Sequence, residues 1–574
     1  MNKFKRTIMS CHGKSKTFLH WLYNTHSDND DETEKVFRHN DLEFSFSGTG
    51  YRNIEKLIMS IGIPKSFLDV CYDFESQDVV VANENYILKC LYPVLCELQE
   101  EYRNDKKDSR EKAKFSIQIP DGCMDKKSGC IYSRETGMYV LRMNFNVPLV
   151  NGISVNAKAA LAAVKDILNH ISDVLGNIDG KELFLWQKTY INQKCIRRYM
   201  IEHNICAFIA DGSILPRNNG TEAPMISAKH FNSPESMRIN ITTETGETIS
   251  GMAINKGITV ITGGGYSGKS TLLNAIELGI YDHIPGDGRE YVLSDSSALK
   301  TNAEDGRPVE DIDLTPFFRR LSGDMPLEHF CTGHASGSVS QAANIVEAIC
   351  GEVKLLLIDE DKSATNFMIR DKVMRKIVPD EPIIPFTDRI EEIKKELGIS
   401  VILVIGGSSE YLAHADSVIL MRDFIPCDIT DDVNEFKDSQ TGEEKKAVWK
   451  YSRKLIPKAT LQPFLYFRSV ITENEKKIVL DDYSSDITDL TALTTPDRLN
   501  MLMSVMEKLL TDKEADTEEL LQRIIRHIDH TIGLEDSDDG ISLCEREQRF
   551  YTQIRPIDAW CCINRMRGVT MAGL

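Results

Sequence analysis

Between Gly263 and Leu273 the chain reads GGGYSGKSTLL, directly after the apolar run GITVIT. Glycine weakens the interior of a helix or a strand, so this density of glycine marks a place where bare backbone is wanted. Gly263, then four residues, then Gly268, Lys269 and Ser270 fit GxxxxGK[ST], between a predicted strand and a predicted helix. The residue types name the chemistry. Gly263, Gly264, Gly265, Tyr266, Ser267 and Gly268 can curl successive N–H groups into a nest for phosphate oxygens. A helix opening at Lys269 adds its positive end to that nest. Lys269 is expected to reach the terminal phosphates of a nucleoside triphosphate and the Ser270 hydroxyl to ligate Mg²⁺, with Thr271 closing the binding stretch.

Such a site needs a carboxylate at the end of a second strand. VKLLLIDED supplies it, with Leu355 to Ile358 apolar and Asp359, Glu360 and Asp361 following. Asp359 is expected to hold Mg²⁺, directly or through water, and Glu360 to polarise the attacking water as general base. Three adjacent acids repel one another, and a divalent cation relieves that repulsion.

A third piece lies upstream. HASGSVSQAANIVEAICG joins a small, polar, glycine-bearing turn to a helix, with Ser336 23 residues before Asp359. Together with ADGSILPR, AEDGR, LLLIDEDKSATNFMIRD, GISVILVIGGSSEYLAHAD and RPIDAWCCINRMRG, the central region resembles the predicted ATPases of the ABC class. This is a non-transporter P-loop family that includes an RNA-editing-associated ATPase of trypanosome mitochondria. The resemblance is dense from about residue 210 to 428 and looser beyond. It implies ATP and Mg²⁺ as ligands and ATP hydrolysis as the activity. It implies that Ser336, Gly337 and Ser338 form a signature turn completing the nucleotide site of a second copy. It places Ser363, Ala364 and Asn366 in a D-loop after the acids. Two elements depart from the ABC pattern. No glutamine lies between Leu272 and Ser340, so Glu304 or Asp305 of AEDGR is expected to serve the metal instead. The switch histidine is absent, with Gly407 and Ser408 in its place, which argues for slow turnover.

The surrounding sequence must position these pieces. From about residue 225 to 430, apolar strand-like runs alternate with helical ones, which predicts an α/β unit with a mainly parallel sheet. The expected fold class is therefore α/β, an ABC-class P-loop ATPase core at 225–430. An α+β N-terminal domain at 42–224 and a mainly helical C-terminal domain at 431–574 flank it. Residues 1–41 read as a disordered or targeting tail, since the first 27 contain five Lys or Arg and no acid. The cysteines show no CxxC pair, so neither a zinc site nor a disulfide framework is indicated. No run approaches the roughly 20 apolar residues of a membrane helix, and an intracellular protein, cytoplasmic or mitochondrial, is expected.

One phosphate loop and one signature turn per chain require two copies for two complete sites, so a homodimer is expected with ATP bound. The object driven by that cycle is less defined. A net charge of −19 excludes a protein coated all over with nucleic acid but permits a local patch. Lys445, Lys446, Trp449, Lys450, Arg453 and Lys454 interleave cations with an aromatic ring, as a single-stranded RNA or DNA surface does, and Lys194, Arg197 and Arg198 extend the pattern. The bland reading of both runs is a solvated helix face. The alternatives are an ATP-gated scaffold for a protein complex, with little hydrolysis, and a P-loop small-molecule kinase. The kinase has no use for a signature turn.

Overall fold

The strands that carry the chemistry are nearly continuous apolar runs, because helices cover both faces of the sheet they form. In the computed structural model, Leu355–Asp359, Ser400–Val404 and Ile258–Gly263 lie side by side and parallel, with their apolar side chains buried. The complete sheet runs Leu299–Lys300, Leu355–Asp359, Ser400–Val404, Ile258–Gly263, Ser417–Arg422, Ile425–Asp428. Only its last pair, a hairpin, is antiparallel. Helices Lys269–Leu278, Gly337–Cys350 and Ile390–Leu397 connect these strands. The last of them stops at Gly398, whose φ of +65° suits a glycine C-cap.

Register sets the site. Val404 pairs with Asp359 on one side and with Ile261 on the other. At a strand spacing of about 4.8 Å, the acidic strand end and the phosphate-loop strand lie roughly 10 Å apart in one row. Both open at the carboxyl edge of the parallel strands, where α/β sheets bind ligands.

The structure describes residues 1–22, 35–49, 54–68, 77–104, 112–321, 326–434, 446–456, 468–471, 476–480, 483–493, 495–511, 515–533 and 548–573. They divide into two compact units. One comprises Met1–Ile191, Thr495–Met501 and Ile528–Gln553; the other comprises Asn192–Thr494, Leu502–His527 and Ile554–Leu574. Of the expected stretches 42–224, 225–430 and 431–574, the first and the last each supply residues to both units, and the middle one lies within the second.

The first unit is built on an antiparallel sheet in the order Phe37–His39, Leu42–Gly48, Lys56–Pro64, Met138–Asn146, Lys114–Ser116, with Cys130–Ser133 also paired to Met138–Asn146. Long helices Gln77–Asn104 and Ala157–Gly176 accompany it, the second capped by the Asn156 side chain. The expectation of a tail is corrected for residues 1–22. Helix Asn2–Ser10 buries Phe4 and Ile8, and the Phe4 ring lies 5.3 Å from both Phe37 and Phe44 and 5.6 Å from Phe46. The basic, amphipathic pattern serves core packing, with the lysines on the outer side.

In the second unit the ATPase sheet is joined by an antiparallel sheet of Arg238–Thr242, Thr248–Asn255, Ile205–Ala210 and Val292–Ser294. Beyond Thr430 this unit holds short antiparallel strands such as Arg453–Ile456 and Tyr483–Asp486 and the helix Pro556–Asn564, while helices Pro496–Thr511 and Thr517–Ile532 are each divided between the two units. Strands of four or five residues carry too little alternation to be read from sequence, so only the helices were expected there. Among the described residues no helix is long and apolar enough to cross a membrane.

Candidate nucleotide site

The phosphate loop takes conformations that side chains oppose. Gly263 has φ +145° and Gly268 φ +97°. A Cβ would stand 2.5 Å from Met421 O at the first position and 2.9 Å from the Phe424 ring at the second, so both are closed to larger residues. Gly264 and Gly265 face open space. Tyr266 adopts φ +59° and is fully exposed at 101%. Lys269 Nζ donates to Gly263 O at 2.8 Å and Gly264 O at 2.9 Å, which holds the ammonium on the loop it is expected to serve. The Ser267 hydroxyl is buried and has no hydrogen-bond partner among the described residues. A phosphate oxygen would satisfy it. Ser270 and Thr271 open the helix Lys269–Leu278, Ser270 exposed.

Asp359 is buried at its strand end and its Oδ1 accepts from Asp361 N. Ser270 and Asp359 are hard oxygen donors on one sheet edge. Among the described residues no cluster of three or more His, Cys, Asp or Glu could hold a metal by itself. This donor set fits Mg²⁺, which takes one or two carboxylates together with substrate phosphates and water. Glu360 is held from the far side: its Oε2 accepts from the backbone N–H groups of Gly406 and Gly407, the latter at 3.1 Å. Gly407, expected at the switch position, and its neighbour Gly406, which was not, therefore orient the expected base through bare backbone. Ser408 accepts from Glu410 N instead.

The signature turn sits at the N-terminus of Gly337–Cys350. Ser336 occupies the cap position, yet its side chain makes no capping bond and is exposed. Gly337 and Ser338 form the first turn behind it. An ordinary N-cap would use that hydroxyl on its own helix, so this serine is left to face outward. The turn is braced from within. Gly306 N donates to Ala335 O and Ala335 N to Arg307 O, and a Cβ on Gly337 would meet Asp305, Ala303 and Ala364 within 3.6 Å. Gln341, fully buried on the same helix, donates to Ser363 Oγ at 2.8 Å and accepts from Ala364 N at 2.9 Å. Ser363 Oγ in turn donates to Asp359 O. Signature helix, D-loop and acidic strand end are thus hydrogen-bonded in one line. Asn366 is exposed in the short helix Thr365–Met368 and accepts from Arg370.

The expected metal role of Glu304 is corrected. Its carboxylate accepts from Arg565 Nη2 at 2.5 Å and Nε at 3.0 Å and from Asn344 Nδ2 at 2.9 Å. Burial pushes its pKa up, but the Arg565 and Arg307 charges outweigh that and hold it below the usual value. AEDGR buttresses the signature helix.

Residues 179–455 match the ABC_ATPase family, a P-loop domain. This segment is an ABC-class ATPase domain. The chain is 30% identical over 280 residues to the uncharacterized protein MJ1628 of Methanocaldococcus jannaschii, a match covering 47% of this chain and 61% of that relative's length. A solved structure, cbiO1 from Clostridium perfringens, part of the ABC transporter complex cbiONQ, aligns over 41% of this chain and 92% of its own. It does so at 15% identity and a TM-score of 0.25, too low for the fold assignment to lean on.

The ABC-class domain and the segment after it also decide the fate of the basic run. Trp449 is buried, donates Nε1 to Glu392 and meets Phe317 edge-on at 5.8 Å, so its ring is core and not a base platform. Arg453 is 4% exposed and bonds Asn564 Oδ1 and Glu310 O. Lys446 pairs with Glu396 and Lys450 lies 3.5 Å from Asp313. Lys454 also has a partner, and Lys445 lies outside the described residues. Lys194 and Arg197 share Asp282, and Arg198 meets Glu244. Lys446, Lys450, Lys194, Arg197 and Arg198 thus pair with acids of the same unit.

Sequence reasoning missed Gln341, Gly406 and the Arg307–Asn344–Glu347–Arg565 network. The signal was present: Gln341, Asn344 and Glu347 recur every three residues on a helix whose other residues from Val339 onward are apolar or small and buried. A polar stripe on a buried helix must meet polar partners. Arg307 Nη2 bonds both Glu347 oxygens, at 2.7 and 2.9 Å, and Arg565 reaches Asn344 Oδ1 at 2.9 Å.

Proposed function

We propose that the chain binds ATP with Mg²⁺ in its ABC-class domain, closes as a homodimer around two nucleotides, and hydrolyses them slowly. The observation carrying this reading is the outward Ser336, unused by its own helix yet tied through Gln341 to the D-loop beside Asp359 and Glu360. A serine so placed suits a phosphate held by a second copy.

In this reading the nest at 263–268 and Lys269 grip the phosphates, with Ser267 Oγ donating into the loop. Ser270 and Asp359 would hold Mg²⁺, which supplies charge neutralisation at the phosphates when bound. Glu360, one oxygen fixed by Gly406 and Gly407, keeps its other oxygen for a water proton. Release of the product phosphate frees the partner's Ser336 turn and opens the dimer. With so many cations of the basic run committed to acids, a nucleic-acid clamp loses its main support, and the reading stops at an ATP-gated dimer, a scaffold where turnover is low.

The test is size-exclusion chromatography of Glu360→Gln with and without ATP and Mg²⁺. Gln preserves the hydrogen bonds from Gly406 and Gly407 and removes the base, so turnover should fall about 10²–10⁴-fold while a dimer accumulates in ATP. Ser336→Arg in the same background should return the species to monomer. Wild-type turnover by Glu360→Gln would refute the base, and an ATP-independent size would refute the gated dimer.

A further inference from the structure

The turn between Ser417–Arg422 and Ile425–Asp428 breaks a local rule. Arg422 pairs with Ile425, so Asp423 and Phe424 form a two-residue hairpin loop. Both have positive φ, +48° and +67°. That loop shape favours Asn-Gly or Asp-Gly, because its second position is left-handed and only glycine takes it freely. Here a phenylalanine occupies it. The ring does not repay the strain by burial, since Phe424 is 54% exposed. Locally costly residues with no packing reason cluster where a protein binds something.

The position says what. Phe424 N donates to Ser267 O at 3.1 Å, and its ring stands against Gly268, the glycine before the nucleotide-binding lysine, with Met421 beside it. Lys229 Nζ donates to Asp423 O and steadies the turn. The base of a bound nucleotide hangs one ribose beyond its phosphates, so a stacking surface must stand at the rim of the phosphate loop. The other exposed ring there, Tyr266, has no hydrogen bond or ring contact among the described residues and is no preformed platform. Phe424 is seated on one side and open on the other.

We propose that Phe424 is the base platform of this site, stacking on the nucleobase while the loop at 263–268 holds the phosphates. The inference rests on the phosphate-binding reading above. Its test uses two probes with Mg²⁺, ATP and inorganic tripolyphosphate, which shares the phosphates and lacks the base. Phe424→Gly suits the turn and should melt no lower than wild type. It should weaken ATP binding by about tenfold to a hundredfold, the worth of one base–aromatic stack, and leave tripolyphosphate binding unchanged. Phe424→Trp should keep ATP binding near wild type. Equal ATP affinity in Phe424→Gly overturns the platform, including the case where only ATP-dependent dimer formation is lost, which would assign the ring to a second copy. Equal loss of both probes also overturns it, in favour of a loop brace. If the wild-type protein binds neither probe, the phosphate site itself fails and the platform with it.

Discussion

Replacing Gln341 with Leu isolates the link between the signature helix and the D-loop. Leucine fits a buried helix site and has high helix propensity, so the helix itself should tolerate it. The amide makes two strong bonds at a fully buried position, one donated to Ser363 Oγ at 2.8 Å and one accepted from Ala364 N at 2.9 Å, and a weak third donated to Met368 Sδ at 3.7 Å. Each lost bond is worth about 1 kcal/mol, and the stranded Ala364 N–H adds part of a desolvation cost of about 1–3 kcal/mol. Ser363 retains its bond to Asp359 O, so its share is smaller. The sum is a loss of about 2–4 kcal/mol, read by urea unfolding followed by circular dichroism. The functional consequence is separable. The phosphate loop does not touch Gln341, so ATP affinity should stay near wild type while turnover and ATP-dependent dimerisation fall together. A stability loss within about 0.5 kcal/mol, the size of an ordinary surface change, would refute the bond accounting. Wild-type turnover in a destabilised variant would refute the coupling.

Two further expectations follow from buried charge. Glu84 is buried in the first unit, and desolvation pushes its pKa from 4.5 up to about 8, against the Tyr132 N–H and the nearby Lys126 and Lys127. A carboxyl raised on folding contributes stability that is complete below its unfolded value and is lost as pH rises through about 8. The first unit should therefore lose a few kcal/mol between pH 5 and 9, at about 1.4 kcal/mol per unit, and Glu84→Gln should flatten that slope in urea midpoints. Arg453→Met removes a buried guanidinium that bonds Asn564 and Glu310. It should destabilise by about 1.5–3 kcal/mol and leave polynucleotide affinity at low salt unmoved; a selective loss of RNA binding with unchanged stability would restore the surface reading.

What could be read from sequence and what could not divides along one physical line. Phosphate chemistry acts over a few ångströms of backbone, so Gly263, Gly268, Lys269 and Ser270 had to be contiguous, and Asp359 and Glu360 had to end an apolar strand. Short-range demands leave short-range text. The partners of Glu304 illustrate the opposite case. Arg565 lies 261 residues away along the chain, and no spacing rule connects them until the fold brings the C-terminal helix Pro556–Asn564 against the signature helix, where Trp560 Nε1 bonds Glu347 O at 2.8 Å. The same gap separates the two basic stretches from their partners. A lysine-rich run looks alike whether its acids are in solvent, in a ligand or elsewhere in the chain, and Glu392, Glu396 and Asp313 were invisible as partners to Lys446, Trp449 and Lys450. The first helix looked like a tail because its apolar side is short; Phe4 acquires meaning only beside Phe37, Phe44 and Phe46. Phe424 sits between these cases. Its strain is local, but a hairpin must be known to be two residues long before Asp-Phe, where Asp-Gly belongs, reads as a choice. Sequence offers the rule, and structure supplies the place where breaking it has a use.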